Sequence, residues 1–148
     1  MHYLDWLERA VGPKLAEGSI GRLVFARIDL ELTADHGLLG TLVAAGAESV
    51  TRWLAASPRS VYAQGGARMG FTSALIEFAN GATALVSASL AHDEPAARVL
   101  VVGQQGTLRY DDFPEPAQMA DPPAPGVAWT GWIEQSLTAG KAVAAARQ

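Results

Sequence analysis

The stretch Gly37–Leu54, GLLGTLVAAGAESVTRWL, constrains this chain more than any other. Leu38, Leu39, Leu42, Val43, Gly46, Val50, Trp53 and Leu54 recur at intervals of three and four, which predicts a helix with one continuous apolar stripe. Thr41, Glu48, Thr51 and Arg52 fall largely off that stripe. Ala44, Ala45, Gly46 and Ala47 fill its middle, so a neighbouring layer can approach closely. Nearly everything after it reads as strand and turn. The expectation is one long helix laid across a sheet.

Before that helix, residues 2–17 predict another, with Leu4, Leu7, Val11 and Leu15 on one side. Pro13 should end or kink it, because proline removes a backbone donor and crowds the preceding turn. A strand follows from Ile20 to Leu32. Ile20, Val24, Ala26, Ile28, Leu30 and Leu32 share one face, and Leu23, Phe25, Arg27, Asp29 and Glu31 the other. Beyond the long helix, Ser57–Ser60 reads as a turn and Val61–Ala63 as a short strand. The runs GFTSALIEF and ATALVSASL are joined by Asn80-Gly81, the preferred pair for a two-residue type I′ hairpin. That turn sets Phe78 opposite Thr83, Ile76 opposite Leu85, and Leu75 opposite Val86. One face of the hairpin then holds Ala74, Ile76, Phe78 and Leu85. The other holds Phe71, Leu75, Val86, Ala88 and Leu90, so both faces need a cover. Residues 97–110 read as a second hairpin turning at Gly103-Gln-Gln-Gly106. Prolines 114, 116, 122, 123 and 125 make residues 111–126 a strap, and helical spacing resumes over 129–147.

Composition narrows the function classes. At 148 residues, 49% hydrophobic and 18% charged, the chain is read as one packed α+β domain over 1–148. A net charge of −4 without a basic run excludes an ordinary nucleic-acid binder. There is no cysteine, hence no disulfide or thiolate metal site, and no apolar run approaches the roughly 20 residues of a membrane span. The start, MHYLDWLERAVG, is amphipathic and carries acids, unlike a secretory leader, so the expected location is the cytoplasm.

Few residues suggest chemistry. Asp35 and His36 adjoin the start of the long helix and could shuttle a proton, or form a solvated loop. Arg27, Asp29 and Glu31 alternate on one strand face and could bind a polar ligand, or form a cross-strand salt-bridge ladder. His92, Asp93 and Glu94 are adjacent but lack a third ligand at suitable spacing, so no metal is expected. Ser73, Ser87 and Ser89 lie within strands, outside any nucleophile-elbow context. Trp6, Trp53, Trp129 and Trp132 read as core or interface anchors.

The order of pieces is telling. Gly18-Ser-Ile-Gly21 opens a long strand, a helix ends in Arg52-Trp53-Leu54, the Asn80-Gly81 hairpin follows, and then Gly103–Leu108 and a tail WIEQSLTAG. Over most of residues 15–140 this resembles the C-terminal domain of the Gfo/Idh/MocA oxidoreductases, the glucose–fructose oxidoreductase and inositol dehydrogenase family. The resemblance implies an open, mainly antiparallel sheet with helices on one face and oligomerisation, as a homodimer, through the other. It also implies a nicotinamide cofactor held by a separate Rossmann domain. This sequence contains neither a G-x-G-x-x-G after an early strand nor a Glu-Lys-Pro lysine motif. The family's His-x-x-Asp pair, seven and four residues before the tryptophan, falls on Gly46 and Ser49. Glycine has no side chain, and a serine without a base is a poor proton acceptor.

The sequence therefore leads to a module without catalytic residues or cofactor of its own, acting in oligomerisation or in binding a partner or small polar ligand. Arg27, Asp29, Asp35 and His36 are its candidate ligand contacts. The alternative is the substrate-binding half, or a fragment, of an NAD(P)-dependent oxidoreductase acting on a sugar-like substrate, with a separate Rossmann subunit as partner.

Overall fold

The long helix, α2 (Leu39–Leu54), lies across a seven-stranded sheet, as its stripe requires. The computed structural model describes residues 1–33, 38–91 and 93–145. Around α2 run helix α1 (Tyr3–Ala16) and strands β1 (Leu23–Leu32), β2 (Pro58–Gly66), β3 (Phe71–Phe78), β4 (Thr83–Leu90), β5 (Ala96–Gly103) and β6 (Gly106–Asp112). A short helix α3 (Pro116–Met119), helix α4 (Val127–Ala139) and strand β7 (Val143–Ala144) follow. The strand order is β6-β5-β1-β4-β3-β2-β7. Only β1 and β4 run parallel, so the sheet is open and mainly antiparallel. The fold is α+β. No described helix is long and apolar enough to cross a membrane.

The hairpin register differs from the expected one by a single residue. Cross-strand partners are Ile76 with Ala84, Leu75 with Leu85, and Ala74 with Val86. The cause is the turn. Gly81 donates to Phe78 O at 3.0 Å and Phe78 to Ala82 O at 2.9 Å, so three residues, not two, close the loop. Gly81 alone takes a positive φ, 88°, as in a type I turn followed by a left-handed bulge residue. A one-residue slip carries every side chain to the opposite face. Thr72, Ala74, Ile76 and Phe78 therefore share the buried face with Ala84, Val86 and Ala88. Leu75 and Leu85 face the other way.

Other expectations shift for local reasons. Alternation puts Val24 on the core face, but it is exposed, because the register with β5 jumps between Leu23 and Phe25 and leaves Val24 out of the pairing. Pro13 lies inside α1 and does not end it; the helix runs only three residues further, to Ala16. Strand β2 begins at Pro58 and reaches Gly66, absorbing the expected turn and loop. The last helix stops at Gly140 instead of reaching 147. That glycine takes φ 68° and donates to Ser136 O, a left-handed C-cap that lets Val143–Ala144 turn back onto β2.

All the helical packing falls on one face. Its floor is Ala26, Ile28, Leu30, Val61, Ala74, Ile76, Val86, Val99 and Val101, and its roof is Leu42, Val43, Val50, Trp53, Trp129, Trp132 and Ile133. Two polar ties hold the roof. Ser136 Oγ accepts from Ala63 N at 2.8 Å and donates to Lys141 O at 2.7 Å, carrying on the hydrogen bonding of β2 where β7 ends. Glu48 of α2 accepts from Gly126 N, the N-cap of α4. Leu100, Val102 and the outward residues of β1 and β4 lie partly covered on the opposite face, where Arg98 of β5 and Leu75 and Glu77 of β3 are exposed.

His2 caps α1 through Nδ1, which accepts from Leu4 N at 3.1 Å. Burial pushes its imidazole below the ordinary value, against opposing contributions from the Met119 backbone, Asp5 and Asp121. Protonation would place a hydrogen on the accepting nitrogen and a positive charge at a helix N-terminus. Because the folded pKa lies below the unfolded one, this contribution is complete above the unfolded value of about 6.5 and is lost as pH falls. Urea unfolding from pH 7.5 down to 5.5 should thus show falling stability, and His2→Asn, a cap that does not titrate, should flatten the slope. An unchanged slope would contradict the cap's role.

Candidate functional site

The open face of the sheet carries the two described candidates from the sequence. Both lie on β1, the central strand, where alternate residues point away from the helices. Phe25, Arg27, Asp29 and Glu31 are set against Thr83, Leu85, Ser87 and Ser89 on β4, and against Val102, Leu100, Arg98 and Ala96 on β5. This arrangement makes two cross-strand rows. One is mostly apolar and runs Leu100, Arg27, Leu85, Leu75, Tyr62. The other is polar and runs Asp111, Arg98, Asp29, Ser87, Ser73, Gln64.

Across this face the charges pair with one another. Arg27 Nε lies 3.2 Å from Asp29 Oδ2, an ion pair whose direction leaves that buried nitrogen without a hydrogen bond. Arg98 Nη1 meets Glu31 Oε1 at 3.0 Å, and Arg109 Nε meets Asp111 Oδ2 at 3.0 Å. The Ser73 and Ser87 hydroxyls are 2.9 Å apart. Burial pushes the Asp29 carboxyl above its ordinary value, opposed by Arg27 and Arg98. These pairs are half-exposed or more and screened by solvent, so they orient the face more than they stabilise the fold. Asp35 and His36 lie outside the described residues, as does His92. Arg98, Ser87 and Ser73 join the row only because β1 sits between β5 and a parallel β4. Nothing local in the sequence signals that pairing.

The two positions where the resemblance would put an acid–base pair lie on the other side of the sheet. Gly46 of α2 faces β4 so closely that a Cβ there would lie 2.7 Å from Val86 Cγ1, with Ile28 Cδ1 behind it. Ser49 is 2% exposed, and its hydroxyl reaches Ala45 O at 3.4 Å, within its own helix. Neither offers a proton-transfer group to a cleft. Among the described residues no group of three His, Cys, Asp or Glu is placed to hold a metal ion.

No family model matches the sequence, and no curated protein does. Solved structures match its fold. A probable dehydrogenase from Thermotoga maritima superposes with a TM-score of 0.74 at 14% identity, over 96% of this chain and 62% of its own. Scyllo-inositol dehydrogenase from Lactobacillus casei, with bound NAD(H) and scyllo-inositol, gives 0.72 at 14% identity, over 94% and 61%. A putative myo-inositol dehydrogenase from Sinorhizobium meliloti gives 0.73 at 15%, over 93% and 61%. The chain thus spans about three-fifths of the length of these structures. Its fold is that of the C-terminal part of inositol dehydrogenase-type oxidoreductases.

The packing at residue 46 has a direct consequence. Gly46→Ala should destabilise the chain by about 1–3 kcal/mol, because the added methyl meets Val86 across a close-packed layer. The double variant Gly46→Ala, Val86→Ala should recover part of that loss in thermal unfolding. A stabilised Gly46→Ala single variant would mean that the helix does not lie this close.

Proposed function

We propose that this chain, built on the fold of an oxidoreductase C-terminal part, works as a non-catalytic module in the cytoplasm that associates with a second copy of itself through the open sheet face. The observation that carries this reading is residue 46. The helix position that would need an acid–base side chain is occupied by a glycine pressed against Val86, and Ser49 is sealed into the same layer. The open face supplies the complementary argument. Leu75 is 42% exposed, and with Leu85, Leu100 and Tyr62 it forms an apolar band beside a row carrying both Arg98 and Asp29. A two-fold pairing of such a face can bury the band and set positive groups opposite negative ones. The same face can instead receive a different partner or a small polar ligand, and Arg27 and Asp29 are the residues that would meet it.

A second reading rests on the length comparison. The chain spans about three-fifths of structures such as the scyllo-inositol dehydrogenase with NAD(H) bound. It would then be the substrate-binding half, or a fragment, of an NAD(P)-dependent oxidoreductase acting on a sugar-like substrate. A separate Rossmann unit would bring the cofactor and the catalytic lysine, and Asp35 and His36 would join Arg27 and Asp29 as candidate substrate contacts.

Sedimentation velocity at micromolar concentration separates the readings. The wild-type chain should run as a dimer and Leu75→Arg as a monomer with unchanged circular dichroism, since Leu75 lies outside the core. A monomeric wild type contradicts association. Nicotinamide reduction by the isolated chain with scyllo-inositol would contradict the non-catalytic reading.

A further inference from the structure

A second surface, away from the open sheet face, has a different chemistry. Tyr3 and Trp6 of α1, Asp112 at the end of β6, Phe113 and Pro114 just beyond it, and Gln118 of α3 line an open surface cavity of about 190 Å³. Tyr3 and Trp6 stack with ring centroids 5.4 Å apart, and Trp6 meets Tyr110 edge-on at 6.2 Å, so the indole is held from two sides. Phe113 nonetheless remains 70% exposed and Trp6 38% exposed, leaving aromatic surface turned to water beside the cavity. Tyr3 donates its hydroxyl to Asp112 Oδ2 at 2.5 Å, which fixes the carboxylate against the cavity wall. Burial, and then that hydrogen bond, push the Tyr3 phenol above its ordinary value, so it stays a donor.

Aromatic faces are electronegative and apolar at once, and a carboxylate carries a full negative charge. A cation wrapped in methyl groups suits both. The rings cover its methyls and attract its charge within about 6 Å, while the carboxylate neutralises it. Tyr110, outside the cavity but edge-on to Trp6, already holds one cation in this way, with Lys14 Nζ 5.1 Å from its centroid. Asp5, next to Trp6, and Glu115, next to Pro114, neighbour the lining residues in sequence and add negative charge. A neutral polyol would need several directional hydrogen-bond partners, whereas the Tyr3 hydroxyl is already committed to Asp112, and beside that carboxylate and the Trp6 indole the wall offers only the Gln118 amide.

We propose that the Tyr3–Trp6–Asp112–Phe113 cavity binds a small methylated ammonium cation. The site is independent of association through the sheet and of any oxidoreductase reading.

Choline is the probe, and the full chain the sample. Titration followed by NMR should shift the Trp6 indole and Phe113 ring resonances saturably. Phe113→Ala and Asp112→Asn should each weaken binding by about tenfold. Phe113 lies outside the core, and the asparagine keeps an acceptor for Tyr3, so both variants should remain folded. The uncharged isostere 3,3-dimethylbutanol should bind about tenfold more weakly than choline. Three results would each overturn the proposal: no saturable shift with choline, equal binding of the uncharged isostere, or scyllo-inositol moving these resonances where choline does not.

Discussion

The approach of α2 to the centre of the sheet is the constraint on which the rest of the structure depends. Residue 46 carries no side chain because Val86 occupies the space a Cβ would need. The layers around that contact are small on both sides: Ala44, Ala45 and Ala47 on the helix, and Ala26, Ala74, Ala84 and Ala88 on the strands, all essentially buried. Small residues let two backbones pack at short range, where many weak dispersion contacts accumulate. Larger side chains are displaced to the margins of this seam. Trp53 closes one end of α2, while Trp129, Trp132 and Ile133 of α4 fill the gap over β2. The perpendicular pair Trp129–Trp132, with centroids 5.0 Å apart, packs beside that seam.

This constraint divides the molecule functionally. A layer packed at that density has no room for a water-accessible acid–base pair, so the seam around Gly46 and Val86 serves packing. The open face is free of that demand. Its ion pairs are half-exposed and contribute little to stability. Its charged residues are therefore available to set orientation in a contact, which is where electrostatic complementarity acts most strongly. The same division explains why the aromatic cavity lies at the edge, where α1, the end of β6 and α3 meet outside the alanine-rich seam.

Much of this was legible in the chain, and the failures have identifiable causes. The α2 stripe located the helix to within two residues, because three-and-four spacing over four turns has few other solutions. The alternation of β1 from Ala26 to Leu32 placed Arg27 and Asp29 on one face correctly, and failed at Val24, where the bulge breaks the period, and at Ile20, which lies in the turn before the strand begins at Leu23. Asn80-Gly81 marked the hairpin, but the same dipeptide serves both a two-residue and a three-residue loop. The loop length then decided which face held Leu75 and Val86. The parallel β1–β4 pairing was invisible, because it joins segments some sixty residues apart whose adjacency depends on the whole sheet. Without that pairing Asp29, Ser87, Arg98 and Ser73 cannot be recognised as one row. The close approach at Gly46 could be suspected from the run of small residues, but its partner, Val86, could not be named.

Methyl NMR across a concentration series tests most directly the proposal that two copies associate through the open face and not through the α2 seam. Raising the concentration should shift the methyls of Leu75, Leu85 and Leu100 together, and leave those of Leu42, Val50 and Val86 unmoved. Shifts confined to the helical face, or none at any concentration, would contradict it.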